Sequence, residues 1–393
     1  MATVFKNSGT LKRNIVYGLY WSLSVLTILL VVTNLFYPYP LWNKFIRVYL
    51  FALILIALFS KIIGSIFLLL DDVHRILRWI WSFLLPAAET SPEHPHRITR
   101  WKFMSQAALV LAGLPFVTLV YGMLKTAFDY HVRKLTVKLP NLPESFDGLK
   151  ILQISDIHSG SFASREPLLK ALKIIKEQNA DVIFFTGDLV NNLSLETDDY
   201  VDIFKEIKAP MGVFSTLGNH DYGDYMQWNS KEEKIKNLDR LKSVHAQSGW
   251  KLLMNEHQVL QRGEDKIAVI GIENWGAHMH FPKYGDMKKA YSGAEQYPVK
   301  LLLSHDPSHW DAQVRKEYGD IDITFSGHTH GFQFGIEIPG FRWSPSQYVY
   351  KQWAGLYNEG KQYLYVNRGL GFLGYPGRVG ILPEITVMEL RKG

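Results

Sequence analysis

Residues 14–37 form an uncharged run of 24 residues near the start of the chain. At about 1.5 Å of rise per residue, a helix of this length crosses a hydrocarbon core of roughly 30 Å. The run is too long for the apolar core of a signal peptide, and no small-residue cleavage site follows it, so we expect it to remain as an anchor. Further apolar runs at 48–70 and 104–124 predict a second and a third span.

The second and third runs carry residues that require an explanation inside a membrane. Lys61 interrupts the second run, and we expect it to snorkel or to face a helix partner. Pro115 in the third is tolerated where neighbours satisfy the freed carbonyl. Residues 72–85 place apolar side chains on one helical face and charged ones on the other, which predicts an interfacial helix. A fourth crossing is the alternative, but Pro86 ends the segment and its uncharged stretch is short.

The composition changes near residue 135, where charged, glycine-rich and short apolar stretches begin to alternate. We predict a membrane region, 1–134, and a soluble α/β domain, 135–393, large enough to bury its own core. Part of the formal charge of +6 lies beside the apolar runs, which favours membrane proximity over nucleic-acid binding. The absence of cysteine excludes disulfides and thiolate metal ligands.

The distribution of basic residues around three spans predicts the orientation of the chain. Eight lie on the side of the amino terminus: Lys6, Lys12, Arg13, Arg75, Arg78, Arg97, Arg100 and Lys102. Five lie on the other side: Lys44, Lys125, Arg133, Lys134 and Lys138. The excess predicts an extracytoplasmic soluble domain, although Arg47 at the edge of the second span narrows the difference.

Five polar motifs follow predicted strands of the soluble domain. They are Asp156-Ile-His158, Gly187-Asp188, Gly218-Asn219-His220-Asp221, Ser304-His305-Asp306 and Gly327-His328-Thr329-His330. Loops at strand ends are the usual position of ligands in α/β folds. Carboxylate, amide and imidazole groups without thiolate suit manganese, iron or zinc, and a carboxylate such as Asp188 can bridge two ions. Other histidines are interpreted as ordinary polar residues: His245, His257, His278, His280 and His309.

The order and spacing of these motifs resemble the calcineurin-like metallophosphoesterases over residues 150–390. The resemblance implies a four-layer α/β/β/α sandwich, preceded here by the transmembrane region, and two divalent metal ions. It assigns the first ion to Asp156, His158, Asp188 and His330, and the second to Asp188, Asn219, His305 and His328. By the same resemblance, His220 would stabilise or protonate the leaving oxygen, and Asp221 could orient His220 by a hydrogen bond.

The chain resembles most the branch with membrane-anchored or exported members, some of which act on lipid-linked substrates. Phe332 departs from the pattern, because a glycine commonly stands there, and it adds bulk near the expected metal centre. Arg368 and Arg378 could contact a phosphate or make ordinary hydrogen bonds. Two interpretations explain a set of aromatic residues: Trp275, Phe332, Phe334, Phe341 and Trp343. They could line an acyl-chain groove, or they could belong to core and lid packing, which is the favoured interpretation.

The predicted function is that of a membrane-anchored binuclear-metal phosphoesterase. Its substrate would be a phosphodiester, diphosphate or phosphomonoester, and the membrane anchor favours a lipid-linked one. Hydrolysis of soluble nucleotides or phosphoproteins is the alternative. A non-catalytic membrane sensor or scaffold is disfavoured because no ligand of the motif set is missing. The expected partners are the bilayer and the phosphorylated substrate, and no nucleic acid.

Overall fold

The computed structural model describes residues 4–5, 8–37, 42–83, 100–278, 281 and 283–393. It divides into two compact units, Met1–Met123 and Leu124–Gly393.

Among its described residues, the first unit contains three helices that are long and apolar enough to cross a membrane. They are α1 (Thr10–Phe36), α2 (Phe51–Ser82), which continues a π-helical turn at Ile46–Leu50, and α3 (Arg100–Leu124). Lys61 of α2 faces α1, where its ammonium group donates to the Tyr20 carbonyl over 3.0 Å and to Ser24 Oγ over 2.8 Å. The charge therefore has hydrogen-bond partners within this unit.

The second predicted span and the predicted interfacial helix form one helix in the structure. Helix α2 continues without a break to Ser82, because residues 65–83 contain neither glycine nor proline to end it. Its 32 residues give a length of about 48 Å, which exceeds the roughly 30 Å that one crossing needs. The interfacial location of 72–85 stays a prediction, and residues 84–86 lie outside the described residues.

The second unit contains two six-stranded sheets. The first has, in spatial order, β1 (His131–Leu139), β14 (Glu384–Lys392), β2 (Lys150–Ile154), β3 (Val182–Phe185), β4 (Val213–Ser215) and β5 (Trp250–Leu252). The second has β12 (Gly355–Glu359), β13 (Gln362–Val366), β9 (Ile323–Ser326), β8 (Lys300–Leu303), β7 (Asp265–Gly271) and β6 (Glu256–Arg262). A separate hairpin pairs β10 (Ile336–Ile338) with β11 (Phe341–Trp343).

The sheets pack face to face, with helices on the other side of each. Successive residues of a strand point to opposite faces, so Ile151 enters the core between the sheets and Leu152 enters the core beneath the helices. The first sheet packs on α4 (Glu166–Glu177), α5 (Val201–Lys205) and α6 (Lys231–Gln247). The second packs on α7 (Met287–Tyr291) and the turn Trp310–Val314 that leads into α8 (Arg315–Glu317). The predicted four-layer sandwich is confirmed.

Parallel pairing brings the motif loops to one edge of each sheet. Strands β2, β3 and β4 run parallel to one another, as do β7, β8 and β9. The carboxyl ends of parallel strands lie at a common edge, and the five motifs follow β2, β3, β4, β8 and β9.

Candidate metal centre

The motif loops hold several polar residues in a left-handed backbone conformation. The φ angles are 51° at Asp156, 50° at His158, 59° at Asp188, 73° at His328 and 50° at His330. Non-glycine residues seldom adopt positive φ, and where they do the surrounding structure holds them there, often at functional sites. The unusual backbone therefore coincides with the residues predicted to bind metal.

Asp156, His158 and His330 form the first cluster of potential ligands. The Nε2 atoms of the two histidines lie 3.1 Å apart, and His330 Nε2 is 3.3 Å from Asp156 Oδ1. All three side chains are buried. Their donor atoms converge closely enough to bind one ion.

Asp188, His305 and His328 form the second cluster. His305 Nε2 lies 3.1 Å from Asp188 Oδ2 and 3.2 Å from Asn219 Oδ1. His328 Nδ1 lies 2.7 Å from the same Asn219 oxygen. An amide oxygen thus completes a set of one carboxylate, one amide and two imidazoles.

Asp188 lies between the two clusters. Its Oδ2 atom is 3.1 Å from His305 Nε2 in the second cluster and 3.6 Å from His158 Nε2 in the first. The structure therefore brings together all seven residues predicted as metal ligands, with Asp188 at the position of a shared ligand.

Hydrogen bonds orient the histidine rings. His158 Nδ1 is 3.1 Å from Asn191 Oδ1, and His305 Nδ1 is 2.7 Å from the Thr186 carbonyl oxygen. His328 is turned the other way, with Nε2 2.7 Å from the Tyr350 hydroxyl. Such contacts fix the ring nitrogen that is left for a metal. Neither Asn191 nor Tyr350 was predicted from the sequence. Asn191 follows Asp188 by only three residues, whereas no local pattern identifies Tyr350.

Burial keeps most of the imidazoles neutral. It lowers the pKa of His158 to about 3 and the pKa of His328 to about 4, and it holds the pKa of His330 well below its usual value. Burial opposes protonation of His305 as well, but the Asp188 carboxylate outweighs it and raises the pKa of His305 to about 10. Because metal ligands must be deprotonated, an ion entering the second cluster would displace that proton.

His220 lies at the edge of both clusters. Its backbone N–H donates to Asp188 Oδ1 over 2.9 Å, and its Nδ1 lies 2.8 Å from the Asn191 carbonyl oxygen. The ring contacts that of His158 edge to face, with centroids 5.1 Å apart. With Nδ1 occupied by the carbonyl, Nε2 is the nitrogen that can act on a substrate.

The predicted hydrogen bond from Asp221 to His220 is wrong. The buried Asp221 carboxylate instead accepts four backbone N–H groups, at 2.9 Å from Asp188, 2.8 Å from Leu189, 3.2 Å from Val190 and 2.9 Å from Gly218. It therefore joins the loop after β3 to the loop after β4. The His220 ring is oriented instead by the Asn191 carbonyl oxygen, which lies beside its Nδ1 atom.

The two arginines predicted as possible phosphate ligands are buried. Arg368 is 1 % exposed and is paired with Glu384 Oε2 at 2.5 Å and Glu337 Oε1 at 2.6 Å. Arg378 donates to the Gly371 carbonyl through Nε and Nη2, and its Nη2 lies 3.3 Å from His330 Nδ1. Phosphate contact by Arg368 is therefore wrong, since carboxylates occupy its guanidinium group.

Phe332, by contrast, lies at the surface and is 63 % exposed. Phe341 is 52 % exposed, so the core part of the favoured interpretation, core and lid packing, is wrong for these two side chains, while lid packing stays a prediction. Among the histidines interpreted as non-ligands, His245 and His309 are buried against Ser215 Oγ and Ser304 Oγ. His280 lies outside the described residues.

Both units match known protein families. Residues 149–332 match the family described as calcineurin-like phosphoesterase. Residues 2–127 match the family described as probable calcineurin-like phosphoesterase, transmembrane domain.

Three similar proteins carry related names. The chain is 30 % identical over 285 residues to the "Transmembrane protein with metallophosphoesterase domain" of Danio rerio, a match that covers 70 % of this chain and 61 % of that protein. It is 30 % identical to the "Uncharacterized metallophosphoesterase YkuE" of Bacillus subtilis, over 65 % of this chain and 84 % of that protein. It is 27 % identical to the "UDP-2,3-diacylglucosamine pyrophosphatase LpxG" of Chlamydia muridarum, over 73 % of this chain and 96 % of that protein.

Proposed function

This chain belongs to the calcineurin-like phosphoesterases and is a membrane member of that family of metal-dependent hydrolases, and we propose that it hydrolyses a lipid-linked phosphoester or diphosphate at a pair of divalent metal ions. The position of Asp188 between two ligand clusters is the observation that carries this proposal. A carboxylate in that position can hold two ions at the roughly 3.5–4 Å separation of binuclear hydrolases.

The residues present fit two such ions. Asp156, His158, Asp188 and His330 would hold the first, and Asp188, Asn219, His305 and His328 the second. Divalent ions at such a site lower the pKa of water and polarise phosphoryl oxygens. Carboxylate, amide and imidazole donors suit manganese, iron and zinc alike.

His220 is the proposed catalytic residue of the chain itself. The Asn191 carbonyl oxygen accepts from Nδ1 and fixes the ring, so that Nε2 of the doubly protonated ring would donate a proton to the departing oxygen. Asp221 supports this arrangement indirectly, because it holds the loops that carry Asp188 and His220.

Two observations favour a lipid-linked substrate. The described residues contain three helices suited to a bilayer, and only six residues separate the end of helix α3 from the start of β1. The Chlamydia muridarum relative is named for a diacylated sugar nucleotide. We therefore expect a substrate with a phosphorylated head group and acyl chains.

A pair of variants tests the metal assignment. Asp188→Asn should lose bound metal and hydrolysis together, because both clusters share this residue. His220→Ala should keep its metal while kcat falls by about 10²- to 10⁴-fold, the usual contribution of a general acid. Metal content by mass spectrometry and hydrolysis of bis-p-nitrophenyl phosphate with added manganese measure the two effects.

The control is His257→Ala, since His257 belongs to neither cluster, and it should retain metal and rate. Loss of metal in His220→Ala would contradict the assigned role. The substrate class is tested separately, by incubating reconstituted wild-type protein with a membrane lipid extract and analysing the products by mass spectrometry. Turnover of nucleotides but of no lipid would favour the soluble alternative.

A further inference from the structure

The hairpin of β10 and β11 turns apolar side chains toward the outside of the molecule. Ile336 is 48 % exposed, Ile338 58 % and Phe341 52 %. Ile338 lies directly opposite Phe341 in the register, so the two side chains are neighbours on one face. The outward face is therefore a continuous apolar surface.

The inward face of the same hairpin carries its charges. Glu337, between the two isoleucines, accepts from Arg133 Nη2 and from Arg368 Nη2, each at 2.6 Å. Arg342, the partner of Glu337 in the register, is itself exposed, and its Nη1 donates to the Ala354 carbonyl over 2.6 Å. A strand with one face toward water and one toward the protein usually places polar residues on the water face and apolar residues on the protein face. This hairpin has the reverse arrangement, which suits apolar surroundings.

Two exposed aromatic residues lie beside the hairpin: Tyr348, whose hydroxyl accepts from Trp343 Nε1 over 3.4 Å, and Phe332, which follows Gly331. Phe332 is 63 % exposed and follows the proposed metal ligand His330 by two residues, and Tyr348 is 76 % exposed. Ser344 Oγ, just after β11, donates to the Gly331 carbonyl over 2.8 Å and holds the hairpin against the metal-binding loop. We call Phe332, Ile336, Ile338, Phe341 and Tyr348 the apolar hairpin surface.

This surface lies near the point where the chain enters the catalytic unit. Thr126, two residues after the end of α3, donates its hydroxyl to the Arg378 carbonyl. The next residue, Val379, exchanges backbone hydrogen bonds with the segment that leads into β10, at Gln333 and Gly335. Arg133, which pairs with Glu337, follows the end of α3 by nine residues, a span of at most about 30 Å.

We propose that the apolar hairpin surface docks into the interfacial region of the bilayer that holds the chain's own apolar helices. Aromatic and branched aliphatic side chains on one face are typical of elements that lie in the membrane interface. Docking would hold the loop of His328 and His330 at the level of lipid head groups. The proposal depends on membrane anchoring alone, so it can hold whether or not the substrate proposed above is correct.

Because the chain has no cysteine, a single cysteine can carry an environment-sensitive fluorophore. Ile338→Cys in the full-length protein, reconstituted in nanodiscs of phosphatidylcholine and phosphatidylglycerol, places the label on the hairpin. We expect blue-shifted emission, quenching by lipids with a nitroxide near the head group, and several-fold weaker quenching by aqueous iodide than for a label in water. Ile336→Cys gives a second position on the same face, should the first variant fold poorly.

Glu264→Cys is the matched control, since Glu264 is exposed in the turn before β7, at the edge of the sheet opposite the metal loops. Its label should be quenched by iodide and not by the nitroxide lipids. Adding Phe341→Asp to the Ile338→Cys protein should return that label to water.

Three results would overturn the proposal. The hairpin label could be as accessible to iodide as the control label. Its blue shift could require an added acyl-chain substrate, which would assign the surface to a single bound lipid. Its blue shift could also vanish on dilution of the protein in lipid, which would assign the surface to a second copy of the chain.

Discussion

The metal loops approach one another so closely that a single added Cβ atom would not fit, and glycine is therefore required at the points of closest approach. A Cβ on Gly218 would lie 2.2 Å from Asp188 Oδ1, and one on Gly327 would lie 2.1 Å from Ser155 Oγ and 2.2 Å from Asp156 Oδ2. Real Cβ atoms do not approach other atoms so closely. These glycines leave the space in which the carboxylates of the ligand set lie.

Replacing Gly327 with alanine should displace Asp156 and weaken the first metal site. We expect bound metal to fall from two equivalents toward one, with a lower thermal midpoint. Metal analysis of the purified protein and a thermal unfolding scan measure these effects. Gly319→Ala is the control, because a Cβ there would meet no atom within 4 Å. Full metal content in Gly327→Ala would show that the loop adapts easily.

Asp221 is predicted to act through stability and loop position. Asp221→Ala would leave four backbone N–H groups without their acceptor. Leaving buried donors unsatisfied costs about 1–3 kcal/mol for each group that water cannot reach. We therefore expect a stability loss on the order of 3 kcal/mol in urea unfolding, together with metal loss. A variant with native stability and metal content but a lower kcat would instead support a direct catalytic role.

At the scale of elements, a partly buried charge network joins the hairpin to the first sheet. Arg368 lies between Glu384 at the start of β14 and Glu337 of β10, and Arg133 of β1 contacts both carboxylates, at 3.3 Å and 2.6 Å. The Tyr365 hydroxyl also donates to Glu384, over 2.6 Å. Burial would raise the pKa of Glu384, but the Arg368 guanidinium group outweighs burial and holds that pKa below its usual value.

Removing Arg368 should destabilise the catalytic unit strongly. Arg368→Met leaves the Glu384 carboxylate buried and removes the positive charge of Arg368 beside it. Breaking a buried ion pair by removing one partner costs about 3–5 kcal/mol of stability. Arg391→Met is the control, since Arg391 pairs with Asp147 at the surface and should leave stability nearly unchanged. Urea unfolding of both variants gives the comparison. A stable Arg368→Met protein with a raised KM would restore the phosphate-binding interpretation.

At the scale of the whole molecule, the number of crossings decides which side of the membrane carries the metal centre. The described residues contain three helices long enough to cross; if all three cross, the amino terminus and the catalytic unit would lie on opposite sides. A fourth crossing would place them on the same side. The excess of basic residues near the amino terminus favours an extracytoplasmic catalytic unit.

A tag at the carboxyl terminus tests this orientation. Because β14 ends at Lys392, within the catalytic unit, the tag reports the location of that unit. We expect a membrane-impermeant reagent to label it in intact cells, while a tag at the amino terminus is labelled only after lysis. Labelling of both termini only after lysis would contradict the predicted orientation and favour an even number of crossings.

The candidate metal ligands and the apolar segments could be predicted from the sequence alone. Asp156, Asp188 and His330 are recognisable because their motifs follow strands in a fixed order, and strand and helix periodicities are local properties of the chain. The uncharged run 14–37 likewise predicts a membrane helix from its length and composition. Both patterns can be recognised in the sequence because they involve residues that are close to one another along the chain.

The partners of residues that are distant in sequence become visible only in the folded chain. The residues next to Arg368 in the sequence do not show whether its guanidinium group binds a phosphate or a carboxylate. In the structure it donates to Glu337, which is 31 residues away. Asp221 accepts backbone N–H groups about 30 residues distant, and the Ile336–Ile338 face turns outward because Glu337 is held inward. Such choices depend on long-range contacts, which no local pattern of residues encodes.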